Sequence, residues 1–171
     1  MKIGRKVTAA MAGVLAAPLI VVALPSGTAF AHGYVNSPAS RQAQCAARTI
    51  SCGAIQYEPQ SVEGPKGLQS CHANLSQFSE LSNDNKGWRV HNTGRSVTFN
   101  WTFTARHRTR DYDYFVDGRK VATFSGNNQQ PPANVQHTVN VGSPGRHKVL
   151  AVWNIGDTAM AFYSCIDINA S

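Results

Sequence analysis

His32 follows Ala29-Phe30-Ala31, a small-x-small sequence of the kind cut during export. Cleavage after Ala31 would leave His32 with a free α-amine. That amine and the His32 imidazole can chelate one ion with two nitrogens of a single residue, so no loop entropy is lost in bringing them together. An α-amine has a reference pKa of about 7.7–8.0, far below lysine, and yields its proton readily to a metal. A third nitrogen from a second histidine would complete a T-shaped, all-nitrogen set. Such a set suits Cu(II), the metal highest in the divalent affinity order. The other histidines are His72, His91, His107, His137 and His147. His107 follows a stretch with strand periodicity, and a rigid strand end is a good platform for a ligand. Carboxylates at Glu58, Glu63 and Asp157 can be paired on paper for glycoside hydrolysis. Their spacing argues for no cleft, however, and hydrolysis leaves His32 without a role. GxSxG, HExxH and phosphate-loop patterns are absent.

The elements that must hold these groups come after a leader. Lys2, Arg5 and Lys6 form a basic start, and an apolar run extends from Val7 to Leu24. Pro18 and Pro25 interrupt it, leaving a clean core shorter than the roughly 20 residues of a spanning helix. Residues 1–31 therefore read as a secretory signal peptide, and residues 32–171 as a single exported domain with no membrane segment. The domain carries 13 of the 16 basic residues and all 9 acidic ones, a net charge of +4 instead of +7. That balance argues against a nucleic-acid partner. The one basic cluster, Arg106 to Arg110, reads as a solvated loop. Cys45, Cys52, Cys71 and Cys165 all lie in the exported part and suit disulfides, whereas no CxxC pair supports a metal site. Three pairings are open. Cys45 and Cys52 are near neighbours and could close a small loop. Cys71 would then bridge to Cys165 and tie the middle of the chain to its last strand, which is the pairing expected.

The second half of the chain is strand-like. From Ser96 to Thr104, Val97, Phe99, Trp101 and Phe103 share one face, and Thr98, Asn100, Thr102 and Thr104 the other. Tyr112 to Val116 and Val121 to Phe124 flank Asp117-Gly118, a strong hairpin signal. Val135 to Val141, His147 to Trp153 and Ala161 to Ile168 complete the set, which predicts an antiparallel β-sandwich. Residues 36–95 differ. They are rich in Ser, Gln, Asn, Gly and Pro, and only Asn74 to Leu81 suggests a short helix. So long a loop in a compact domain is expected only where it is functional, and two disulfides would staple it down.

Four separate stretches, in order along the whole exported length, carry a resemblance to one family. His32-Gly33-Tyr34-Val35, directly after the leader, resembles the start of bacterial lytic polysaccharide monooxygenases of auxiliary activity family ten, once classed as chitin-binding modules. Gln56 to Gly64 (QYEPQSVEG) is similar to the family's chitin-active branch. Thr104-Ala105-Arg106-His107 followed by Tyr114-Phe115 resembles the segment that supplies a second histidine, and Ala151 to Ala159 (AVWNIGDTA) followed by Ala161-Phe162-Tyr163 resembles the last motif. Met160 departs from the pattern at a position that is polar in a related member, which bears on surface binding and not on copper chemistry.

The resemblance implies one copper ion per chain, held by the His32 amine and imidazole and the His107 imidazole. It implies that Phe162 places a donor-free ring at one side of the metal, that Ala105 crowds the other side, and that Glu63 is a nearby carboxylate able to position oxygen species and move protons. Tyr57 and Glu58 resemble the substrate-contact pair, and Asp157 belongs to the same surface. His72, His91, His137 and His147 match no ligand motif and read as ordinary surface or strand residues. The expected fold is an all-β, fibronectin type III or immunoglobulin-like sandwich with a long disulfide-stapled loop region, whose flat face suits a crystal surface. The expected activity is C1-side oxidative cleavage of crystalline chitin by a secreted, monomeric enzyme using an external electron donor and O2 or H2O2. A non-catalytic secreted chitin-binding module is the alternative. It would share Tyr57 and Glu58 but has no need of His32, His107, Glu63 and Phe162.

Overall fold

A computed structural model describes residues 31–171, so the leader assigned to residues 1–31 lies outside the described residues except for Ala31. Nine strands run through the described part: β1 (His32–Ser37), β2 (Glu63–Pro65), β3 (His91–Thr93), β4 (Ser96–Ala105), β5 (Thr109–Val116), β6 (Arg119–Gln129), β7 (Asn134–Asn140), β8 (Gly145–Ile155) and β9 (Met160–Ala170). One sheet has the order β1-β4-β7 and is antiparallel. The other has the order β2-β9-β8-β5-β6, with β3 added in parallel to the far end of β9. The sheets face one another as an immunoglobulin-like sandwich. Among the described residues no helix is long and apolar enough to cross a membrane.

The alternation of β4 does what its sequence demands. Val97, Phe99, Trp101 and Phe103 are buried and meet Tyr112, Tyr114, Trp153, Phe162 and Ile166 from the other sheet. Strands β8 and β9 do not alternate, because both their faces are covered. Leu150, Val152, Ala161 and Tyr163 point away from the sandwich core into a second cluster with Ile55, Val62, Phe78, Leu81 and Trp88 of the loop region. Both disulfides form as expected, Cys45–Cys52 and Cys71–Cys165, and all four sulfurs belong to this second cluster or its border.

The loop region holds more structure than its composition suggests. The helix expected over Asn74–Leu81 is a 3-10 segment, Ser76–Ser82. An unexpected α-helix, α1 (Arg41–Ala46), is capped by Ser40, whose side chain accepts from the Ala43 N–H. Its buried face is polar. The Arg41 guanidinium donates to both carboxylate oxygens of Asp167 at 2.8 Å and to the Leu81 carbonyl at 2.8 Å. Gln42 donates to the Tyr163 carbonyl and to Ser164 Oγ, each at 2.8 Å. Hydrophobic periodicity is silent about a helix that docks through hydrogen bonds.

Candidate metal centre

His32 opens β1 and pairs with Ala105, the last residue of β4. Two residues beyond Ala105, the exposed turn 106–108 presents His107. The two imidazoles therefore come from antiparallel neighbours at one end of the sandwich. The close fit of β1 against β4 depends on Gly33, where a Cβ would sit 2.6 Å from Phe103 Cδ1. The Gly33 N–H also donates to the Gln60 carbonyl at 3.2 Å, which ties the loop bearing Tyr57 and Glu58 to the strand bearing His32.

Phe162 is fully buried on β9, its ring centroid 6.4 Å from that of His32 and 5.0 Å from that of Trp153. Glu63 opens β2 and pairs with Phe162 across the ladder. Its Oε1 is buried and has no hydrogen-bond partner. Burial pushes the Glu63 carboxyl above its ordinary value, while the charge of nearby His107 pulls it down. His107 Nε2 lies 2.8 Å from Asp157 Oδ1, in the turn between β8 and β9. His32, Ala105, His107, Glu63, Phe162 and Asp157 are thus gathered at one end of the fold. Tyr57 is 74% exposed beside it, and Glu58 is half-buried.

Among the described residues no group of three or more His, Cys, Asp or Glu side chains is arranged to hold a metal. The nitrogen donors that the fold sets at this end are the imidazoles of His32 and His107, with the His32 main-chain nitrogen as a third once it is an amine. This all-nitrogen set fits Cu(II), and Glu63, close enough to feel the charge of His107, keeps a buried acceptor without a partner. A cavity of about 520 Å³ lies elsewhere, against the Cys71–Cys165 bridge, and none of these residues lines it.

The remaining histidines take other partners. His72 bonds to Ser70 and Ser82, His91 to the Ala39 carbonyl, and His147 to Asp117. His137 is a strand residue that points inward and bonds Tyr114. Arg106, Arg108 and Arg110 are exposed, as expected, but the loop ends at Arg108: Thr109 and Arg110 open β5, and Thr109 is fully buried. Nothing in the basic cluster marked Thr109 out. Its only local signal is a small hydroxyl residue two places after His107.

The same length of chain, from His32 onward, resembles known proteins. A family profile described as lytic polysaccharide mono-oxygenase, cellulose-degrading, matches residues 32–168. A protein named lytic chitin monooxygenase from Streptomyces ambofaciens is 54% identical over 170 residues, covering 99% of this chain and 98% of that one. The GlcNAc-binding protein A of Vibrio vulnificus is 35% identical over 189 residues, covering 87% of this chain but 39% of that longer protein. Among solved structures, a lytic polysaccharide monooxygenase from Jonesia denitrificans superposes with a TM-score of 0.80 at 43% identity, over 82% of this chain and 100% of that one.

Proposed function

The chain belongs to the lytic polysaccharide mono-oxygenase family, and from that premise we propose that it is a secreted enzyme that uses one copper ion to cleave crystalline chitin by oxidation. The observation that carries this reading is the placement of His32 and His107 at the joined ends of β1 and β4, with Glu63 and its unpartnered Oε1 close to His107. Removal of residues 1–31 turns the His32 amide into an amine, so that the amine, its own imidazole and the His107 imidazole can hold copper. Copper held there would supply one-electron redox chemistry between an external electron donor and O2 or H2O2, the chemistry that oxidative scission at a glycosidic carbon requires.

The protein groups do the rest. Phe162 presents a ring without donor atoms beside His32, so no protein heteroatom competes from that side. The Ala105 methyl limits room near the strand end. The Glu63 carboxyl accepts a hydrogen bond from H2O2, or donates one to O2 when protonated, and so orients the co-substrate. Asp157, whose Oδ1 lies 2.8 Å from His107 Nε2, accepts from sugar hydroxyls. Tyr57 offers an exposed ring on which a flat sugar can stack, and Glu58 accepts from hydroxyl or acetamide N–H groups. Because the Gln60 carbonyl is bonded to Gly33, the sugar platform keeps a fixed distance from His32.

Chitin is preferred over cellulose on the Gln56–Gly64 segment and on the name of the 54% identical relative, although the family profile's description mentions cellulose. The test is direct. Copper-loaded protein beginning at His32, given β-chitin and ascorbate, should release aldonic-acid oligosaccharides detectable by mass spectrometry, with at most traces from cellulose. Oxidised cello-oligosaccharides without chitin product would reverse the substrate assignment. Chitin binding without oxidised product would favour the non-catalytic module.

A further inference from the structure

The turn that carries His107 is fastened from behind by a side chain to which the copper chemistry gives no part. Thr109 opens β5, is fully buried and pairs on both sides, with Ile155 of β8 and Gln129 of β6. Its hydroxyl has one hydrogen to give and lone pairs to receive. The Trp153 indole N–H, which can only donate, lies 2.7 Å from Thr109 Oγ1. The His107 main-chain carbonyl, which can only accept, lies 3.1 Å from the same oxygen. The directions follow: indole to hydroxyl, hydroxyl to carbonyl. The same Trp153 ring packs at 5.0 Å against Phe162, which faces His32. Gly126 makes room for this arrangement, since a Cβ there would sit 2.4 Å from Thr109 Cγ2. On the other side of the turn, the Gly156 N–H donates to the Arg108 carbonyl at 2.7 Å.

We propose that Thr109 is a positioning residue for the metal centre: its hydroxyl sets the His107 main chain relative to Trp153 and Phe162. A residue needed only to fill this space could be valine, which has the same shape. Valine lacks both hydrogen bonds. It would leave a buried indole N–H and the His107 carbonyl without their partner, and would loosen a turn whose two arginines, Arg106 and Arg108, are both exposed. Serine keeps both bonds and loses one methyl. The consequence for copper rests on the reading of His107 as a ligand, whereas the hold on His107 does not, and the experiment separates the two.

Protein beginning at His32 is prepared as wild type, Thr109→Val and Thr109→Ser. In the metal-free proteins, nuclear magnetic resonance should show an unchanged Trp153 indole N–H and a single set of His107 ring signals for wild type and Thr109→Ser. In Thr109→Val the indole signal should shift and the His107 signals broaden or double, with distant signals unmoved. With Cu(II) added, the electron paramagnetic resonance spectrum should change in Thr109→Val and be restored in Thr109→Ser. Affinity by calorimetry should fall about tenfold or more in the valine variant only, the scale expected when a ligand's supporting hydrogen bond is lost. Wild-type His107 signals in Thr109→Val overturn the proposal, as does a wild-type copper spectrum. A wild type that binds no copper overturns the ligand reading of His107 alone, because the metal-free comparison still decides what Thr109 holds. Should Thr109→Val fail to fold, Trp153→Phe removes the indole donor from the other end and is scored by the same His107 signals.

Discussion

While Ala31 precedes His32, the His32 nitrogen is an amide whose lone pair is delocalised into a carbonyl. Ala31 is fully buried in this state, packed with Val35 and Trp101 in the sandwich core cluster. Cutting that one bond changes the nitrogen from a non-basic group into a ligand with a pKa of about 7.7–8.0. A protein beginning Met-His32 should therefore fold and bind chitin like one beginning at His32, yet bind Cu(II) more weakly by orders of magnitude, because metal binding needs deprotonated donors already in place. Calorimetry on the two proteins checks this, and equal affinities would remove the amine from the ligand set. At this scale the motifs around His32, His107, Glu63 and Phe162, and not composition, pointed to residues that the fold places at one end of the sandwich. Thr109 was not legible. Its second partner, Trp153, lies 44 residues away, and a buried hydroxyl leaves no periodic trace.

Helix α1 is where local sequence was least informative and where one side chain carries the most. Arg41 is 1% exposed and donates to Asp167, Leu81 and, through Nη2 at 2.8 Å, Asp84, while its guanidinium lies 5.3 Å from the Trp88 ring. Removing Arg41 strands Asp167, which keeps 17% of its side-chain surface, so the cost is about 3 kcal/mol, the low end for a buried ion pair. Arg41→Met should destabilise the protein by that amount in denaturant titrations, and it should loosen the loop region before the sandwich. A loss under about 1 kcal/mol would mean that α1 is held by the Cys45–Cys52 bridge and Gln42 instead. The contrast with β4 explains what pattern reading can reach. Ser96 to Ala105 has one face in the core and one face toward solvent, so its burial is written in alternating residue types. The α1 sequence Arg-Gln-Ala-Gln-Cys-Ala buries polar groups whose partners sit on β9, more than a hundred residues on, and only tertiary structure pairs them. Strand β8 was found by its apolar run, though the reason for the run, a second core beneath the loop region, was not visible in it.

For the whole molecule, the response of stability to pH near neutrality includes two histidines that act in opposite directions. On β7, His137 is stacked on Phe124 at 4.2 Å, and its Nδ1 accepts from Tyr114, whose oxygen already accepts from the Trp101 indole. A charged His137 would lose that acceptor role as well as its hydration, and burial lowers its pKa to about 4. As pH falls from about 6.5 toward 4, the unfolded chain takes up a proton that the folded chain refuses, so this group subtracts stability over that window and nothing further below it. The full shift corresponds to about 3 kcal/mol for an enclosed ring. For this half-buried ring about 1–2 kcal/mol is the better figure, after screening by solvent. His147, paired with Asp117 at 2.7 Å, has its pKa raised by that hydrogen bond, by the Ser143 carbonyl and by the Asp117 charge. Its contribution is fully present below its unfolded pKa and is lost as pH rises through the raised folded value. Asp117 is held below its ordinary value against the cost of its own burial by His147 and Lys148, so its share is present above the ordinary carboxylate range and is lost in acid. Between pH 7.5 and 5, therefore, His137 weakens the fold while His147 strengthens it. Urea titrations at the two pH values should show that His137→Gln, which keeps an acceptor for Tyr114 but cannot titrate, gains stability relative to wild type on acidification. His147→Gln should lose stability relative to wild type over the same interval. If His137→Gln tracks wild type at both values, the Tyr114–His137 bond survives protonation, and the direction of the hydrogen-bond chain from Trp101 must be reversed at its last link.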